Sequence, residues 1–306
     1  MTEKIKIKIK GHESFSLREG WLRKGVSAIQ LDQCILGDTV KACDELGVGS
    51  NMVKSIRYWL QAVGLTYEQI VKGSKRCQKL TGELGKKILI YDEYFENIGT
   101  LFLLHYKLVT NIELATSWYI FFNKFNAKEF IKDNMIERIK HELTIIAPAT
   151  SVSEKSIVDD CSCIIKTYYN EKENMIDPED NLCCPFVELG LLKKESYSKN
   201  TSELIIKTSD NKRKLDKLIV LFVILDRLGE NKSITIDQLE NQECNIGKVF
   251  NLNRNDINEY MDKLRDENLI NITRTAGLNE IYPTMRDKEK VLEMYYKGIS
   301  ECAQDE

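Results

Sequence analysis

The sequence predicts a mainly α-helical protein, α+β only by the count of its short hairpins. Three observations predict it. Only four prolines occur in 306 residues, so helices meet few breakers. The order helix, helix, helix, hairpin is written twice, once towards each end. Between the two copies, residues 98–145 are dense in aromatic and aliphatic side chains. The length allows roughly two domains at ~150 residues each. Hydrophobic residues at 42% and charged residues at 30% exclude a disordered chain.

Residues 4–10 alternate Lys and Ile, ending at Gly11. Strict alternation predicts a strand with one apolar and one basic face. It reads as an edge strand guarded by lysines or as a basic arm for a phosphate backbone. A helix follows over 17–29, with Leu17, Trp21, Leu22 and Val26 inward. A short helix runs Thr39 to Leu46 and is broken by Gly47-Val48-Gly49. Ser50 then caps a helix from Asn51 to Val63, stopped by Gly64. Val53, Ile56, Leu60 and Val63 form its apolar stripe. Two β-like runs, 65–71 and 77–80, close the first copy. This is the order of a winged helix-turn-helix, assigned to 1–90 with the basic strand.

The middle, 91–205, is read as a helical domain. Helices are expected over 98–109, 112–123, 127–143 and 154–170, with a hinge at 146–157. The aromatics Phe102, Tyr106, Trp118, Tyr119, Phe121 and Phe122 read as core, and His105 as a core histidine. The polar stretch 195–214 is a candidate boundary or surface hairpin. The third part, 206–306, repeats the first: helices at 215–229, 236–241 and 254–267, β-like runs at 269–274 and 278–282, and a last helix over 288–300. It is read as winged-helix-like, with Ile257, Tyr260, Met261 and Leu264 inward.

Lys+Arg number 44 and Asp+Glu 47, a net charge of −3. That excludes a wholesale polycation but not a local basic face. Segment 51–80 carries six cations (Lys54, Arg57, Lys72, Lys75, Arg76, Lys79) against Glu68 alone. In a winged helix-turn-helix, the third helix meets base edges and the wing meets phosphates. Ser50, Asn51, Lys54, Arg57 and Tyr58 are therefore the candidate helix contacts, with Asn51 suited to adenine and Lys54 or Arg57 to guanine or phosphate. Lys72, Lys75 and Arg76 are the candidate wing contacts. In the second copy, Arg254, Asn255, Asn258 and Lys263 are offset by five acids over 256–267, so that helix is not expected to bind DNA.

No signal-peptide core or membrane span is written in the chain, so a cytoplasmic protein with no membrane partner is expected. Its nine cysteines then read as thiols rather than disulfides. Cys161, Cys163, Cys183 and Cys184 are spaced poorly for zinc or an iron–sulfur cluster. No phosphate loop, HExxH or GxSxG occurs. No catalytic residues, metal or cofactor are expected, and the chain does not read as an enzyme.

Several strings carry a resemblance in a fixed order: GHESFSLREGWLRKG at 11–25, LGVGSNMVKSIRYWLQAVGL at 46–65, TLFLLHYKLVTN and ATSWYIFFNKF within 100–125, CIIKTYYN at 163–170, EDNLCCPFVELGLL at 179–192, GKVFNLN at 247–253 and TAGLNEIYP at 275–283. Together they resemble the bacterial family named domain of unknown function four thousand and seven. The resemblance implies an accessory of bacterial antiviral defence and DNA-modification islands, encoded near reductase-like sulfur-transfer proteins of the DNA phosphorothioation type. The family pattern places an acid before each of two cysteines, matched by Cys163 and Cys184. This chain has Ser162 and Cys183 at the acid positions, which implies structural thiols at Cys163 and Cys184. The expected function is a DNA-binding accessory subunit acting on double-stranded DNA beside a reductase-like or other defence protein. The alternatives are a scaffold for such a partner with no DNA contact, and a cysteine-dependent redox or metal component.

Overall fold

The computed structural model describes residues 5–71, 73, 75–82, 84–170, 183–195, 203–275 and 278–302. Among the described residues the protein is mainly helical, with three small antiparallel sheets. It divides into two compact units, Met1–Thr208 and Ser209–Glu306. The spans 1–90 and 91–205 both lie in the first.

The first unit opens with α1 (Trp21–Leu31), α2 (Thr39–Leu46), α3 (Ser50–Ala62) and a hairpin, β1 (Thr66–Val71) and β2 (Lys75–Leu80). Asp38 caps α2 by accepting from the Lys41 amide, and Gly47 ends it at φ +64°, a conformation glycine adopts without a Cβ penalty. Val53, Ile56, Trp59 and Leu60 of α3 are buried, each aliphatic one worth about 1.5–3 kcal/mol. The hairpin pairs Thr66 with Leu80 through Val71 with Lys75. A short turn at Ile35–Gly37 docks on β2, where the Gln78 amide donates to the Gln33 carbonyl at 2.7 Å. Gly37 is required there, because a Cβ would land on the Arg76 carbonyl oxygen.

That docking overturns part of the thiol expectation. Cys34 and Cys77 form a disulfide, 43 residues apart in sequence. The compartment expected from sequence says nothing about two cysteines that backbone pairing brings together. The strand expected over 4–10 is also absent among the described residues: Ile5 to Lys10 is ordered but joins no ladder. Its backbone donors go to side chains instead. The Lys8 amide reaches Thr116 Oγ1 at 3.0 Å and the Lys10 amide reaches Asp160 Oδ1 at 2.9 Å.

The unit continues with α4 (Gly85–Tyr91), α5 (Ile98–Thr110), α6 (Thr116–Tyr119), α7 (Lys132–Ile146) and α8 (Glu154–Tyr168). Helix α5 is buried nearly all round, as its apolar sequence demands. His105 is a satisfied core histidine, hydrogen-bonded at Nδ1 to the Tyr168 hydroxyl at 2.8 Å. Helix α6 runs into a π-helical turn, Ile120–Lys124. Carbonyls freed by such a turn need other donors, and the Lys207 ammonium serves those of Phe121 and Phe125. A sheet of β3 (Glu129–Phe130), β5 (Leu204–Lys207) and β4 (Leu192–Glu195), in that spatial order, completes the unit.

The second unit holds α9 (Lys217–Leu228), β6 (Ile234–Thr235), α10 (Ile236–Asn241), α11 (Ile246–Val249), α12 (Arg254–Asp266), β7 (Ile270–Thr275), β8 (Leu278–Pro283) and α13 (Lys288–Cys302). Its sheet runs β6-β8-β7. Ile257, Tyr260, Met261 and Leu264 of α12 are buried. Asn253 caps α12, accepting from the Asn255 and Asp256 amides, while Asp256 accepts from the Asn253 amide. No helix of the described residues is long and apolar enough to cross a membrane.

Candidate nucleic-acid interface

Helix α3 enters from a glycine turn, so its first residues stand clear of the core. Ser50, Asn51 and Lys54 are exposed, and the Lys54 ammonium donates to Asn51 Oδ1 at 3.2 Å. Lys75 and Arg76, at the start of β2, are exposed as well. Lys72 lies outside the described residues. Gln78 of β2 fixes hairpin to helix by donating from Nε2 to the Arg57 carbonyl at 2.9 Å.

Two of the expected contacts are otherwise engaged. Tyr58 is only 4% exposed. Its ring packs on Trp59 and His12, and burial raises its phenol well above the ordinary value. Arg57 grips Glu68 Oε2 from Nε at 2.8 Å and Nη2 at 2.7 Å. Arg76 Nη1 reaches the other oxygen of Glu68 at 3.9 Å. One carboxylate thus serves two guanidinium groups.

A third cation joins them from a distant part of the chain. Lys8 sits with its ammonium 5.3 Å from the Tyr58 ring centroid. Burial, then the charge of Arg57, lowers its pKa, and Arg76 adds to this against the opposing pull of Glu68. Lys8, Arg57 and Arg76 therefore gather around Glu68, with only the weaker pull of Glu13 on Lys8 besides, and positive charge is in excess. The Lys-Ile alternation signalled a basic segment but not its neighbours, which only the tertiary fold defines.

What holds Lys8 there is a buried latch that single-sequence reasoning passed over. Asp160, 1% exposed, takes Lys10 N and His12 Nε2 (2.8 Å) on Oδ1 and the Ser117 hydroxyl (2.5 Å) on Oδ2. His12 and Ser117 are fully buried. Lys10 Nζ pairs with Asp159 at 2.6 Å, an ion pair that raises the lysine pKa and lowers that of the carboxyl. The adjacent acids at 159–160 and the histidine at 12 were visible in sequence. Their meeting across about 150 positions had no local signal.

The thiols sit beside this latch. Burial raises Cys163 far above its ordinary range, with the Asp160 charge adding to it, and burial likewise raises Cys184. Cys161 is pushed up to about 12 by burial and by Asp160. Such thiols stay protonated near neutrality, and the thiolate is the form that attacks or ligates. Among the described residues, no three His, Cys, Asp or Glu side chains cluster as metal ligands.

The α12 helix differs from α3. Arg254 pairs with Glu240 at 2.7 Å and Asp237 at 3.1 Å, and Arg265 with Asp262 and Asp266. Lys212 pairs with the buried Asp256. These cations are spent within the unit.

The chain is similar to two solved structures of a protein called SspB. One is a magnesium ion-bound form, with 27% identity and a TM-score of 0.84. The other has 28% identity and a TM-score of 0.82. In both cases 95% of this chain and 88% of the other are covered. No curated protein matches. The model of the family described as Protein of unknown function (DUF4007) matches residues 9–296, nearly all of a sequence whose motifs already resembled it, and the chain belongs to that family.

Proposed function

We propose that the chain is a non-enzymatic DNA-binding accessory protein. Its contact is formed by α3 and the β1–β2 hairpin, used as the recognition helix and wing of a winged helix-turn-helix. The observation that carries this is the surplus of cations on one element pair: Lys54, Lys75 and Arg76 are exposed, with Arg57 and, from residues 5–12, Lys8 near Arg76, and Glu68 and the weaker pull of Glu13 opposing them. Phosphate neutralisation by such residues supplies sequence-independent affinity. The second unit repeats the helix-and-hairpin order, and we assign it a winged-helix-like role in protein contact, since both arginines of α12 are paired with acids of the same unit. The place in a phosphorothioation-like defence system rests on the family resemblance, as does a cytoplasmic location.

A magnesium ion bound to the SspB relative raises the question of a metal here. Asp160 is a poor donor for one, since both its oxygens already accept from protein groups, so no step is routed through a metal.

A gel shift of duplex DNA at about 50 and 200 mM salt tests the reading. Four phosphate contacts give a slope near −3.6, so affinity falls about a hundredfold between the two. Lys54→Glu with Lys75→Glu lowers that slope by about two. Absence of binding at the lower salt, or a double variant that binds like the wild type, overturns it. In that case the acidic α12 favours the second reading, a scaffold for a reductase-like partner.

A further inference from the structure

A cavity of about 700 Å³ opens in the first unit, lined by no residue of α3 or the hairpin. Its size falls in the range of small-molecule sites, about 300–1,000 Å³. Its lining includes the buried Ile165 and Ile205 and the rings of Tyr169 and Phe15 among polar residues. Its walls carry four cations, Arg18, Lys132, Lys166 and Lys194, against two carboxylates, Asp133 and Glu203.

The cations are held differently. Lys194 is paired with Glu203 at 2.7 Å and lies 5.2 Å from the Tyr169 ring centroid. Lys132 donates to the Ser162 hydroxyl at 2.7 Å, a neutral acceptor. Ser162 in turn donates to the Val158 carbonyl, so its proton is committed and it serves to aim Lys132. Arg18 lies over the Phe15 and Trp21 rings, 5.8 and 5.6 Å from their centroids. Among the described residues, none of Lys132, Arg18 and Lys166 has a carboxylate within ion-pair distance. The cavity wall also includes Lys132 and Asp133, the first residues of the fifteen-residue α7, whose N-cap amide, that of Ile131, donates to Asn134 Oδ1 at 3.3 Å. That helix end adds positive potential to the same wall.

Unpaired cations lining a cavity together with aromatic and aliphatic side chains suit a ligand with an anionic head and a planar body. We propose that this cavity binds a phosphorylated nucleoside, with the phosphate on Lys132 and Lys166 and the base against Tyr169. The shared chemistry belongs to a free mononucleotide and to the 5′-phosphorylated end of a strand. The site is separate from the proposed duplex contact and does not depend on it.

The test is calorimetric titration of the full chain with adenosine and thymidine 5′-monophosphates, a 5′-phosphorylated trinucleotide, adenosine and inorganic phosphate. Mononucleotide or trinucleotide binding at least about tenfold tighter than adenosine or phosphate alone supports the site. Tighter trinucleotide binding identifies the strand end, and equal or weaker binding the free nucleotide. Lys166→Glu, a change at an exposed position, weakens the complex by about tenfold or more. Tyr169→Phe retains it and Tyr169→Ala weakens it several-fold. Lys54→Glu leaves it unchanged, which separates failure here from failure of the duplex contact. The proposal is overturned by no nucleotide or trinucleotide binding at about 1 mM, by inorganic phosphate binding as tightly as nucleotide, or by Lys166→Glu and Tyr169→Ala binding like the wild type.

Discussion

Replacing Asp160 by Ala strikes the latch at its centre. The carboxylate accepts from the Lys10 amide, from His12 Nε2 and from the Ser117 hydroxyl, all at 2.9 Å or less. Removing it leaves three donors without an acceptor, two of them on fully buried side chains. Each buried donor left unsatisfied costs about 1–3 kcal/mol. Ser117 can rotate and residues 5–12 can lift towards water, so the costs do not simply add. The expected loss is about 3–5 kcal/mol, the range for breaking a buried charged network. Urea unfolding read by tryptophan fluorescence measures it, because Trp21, Trp59 and Trp118 all lie in the first unit and are the three tryptophans of the chain. Two controls sharpen it. Asp159→Ala breaks only the half-exposed pair with Lys10 and produces a small loss. Asp160→Asn keeps the volume and one acceptor and falls between. Trypsin also cuts faster after Lys8 and Lys10 in Asp160→Ala, since lifting the segment frees the backbone that Thr116 and Asp160 hold. A loss below about 1 kcal/mol, or one no larger than that of Asp159→Ala, refutes the latch.

Glu68→Ala frees Arg57 and Arg76 from their shared partner, so duplex affinity rises and the salt slope steepens by about one; an unchanged slope in a gel shift counts against the proposed face. Cys161 is held at about 12 against an ordinary 9, so its protonated form is favoured in the fold. That contribution is complete below pH 9 and is lost as pH rises from 9 towards 12, at up to about 1.4 kcal/mol per unit. Urea melts at about pH 8 and about pH 10 read this, and Cys161→Ala shows a shallower decline. Cys34→Ser opens a 43-residue loop, for which chain entropy sets a ceiling of about 4 kcal/mol. The oxidised wild type therefore melts above both the variant and its own dithiothreitol-treated form, and identical melts refute a stabilising bond.

The elements were legible where one chain segment supplies its own reason. The stripe Val53, Ile56, Leu60 and the glycines at 47, 49 and 64 placed α3 within a residue, and Thr39–Leu46 and Ile236–Asn241 coincide with the expected spans. The helix expected at 112–123 starts later and turns π-helical, because Lys207 from β5 relieves its carbonyls. Helix α4 and strand β3 were missed, Glu129–Phe130 being too short to show a period, whereas the surface hairpin read at 195–214 overlaps the antiparallel pair β4–β5. At the candidate interface, Ser50, Asn51, Lys54, Lys75 and Arg76 were exposed as read. Composition could not show that Glu68 would hold Arg57 or that Trp59 and His12 would cover Tyr58. A face is decided by which residues pack over it, and those came from elsewhere in the sequence.

The latch also sets an order of assembly. Lys8 and Lys10 meet partners 108 and 150 positions later in the chain. During synthesis at roughly 5–20 residues per second, the segment bearing them waits about ten seconds or more for Asp160 to be made. Contacts so far apart form late, after closer ones have reduced the loop to be closed. Helices α1 to α3 and the hairpin can be in place while Lys6, Lys8 and Lys10 are still free in solvent. These lysines are therefore late to reach their positions, and a cationic segment stays exposed throughout that interval.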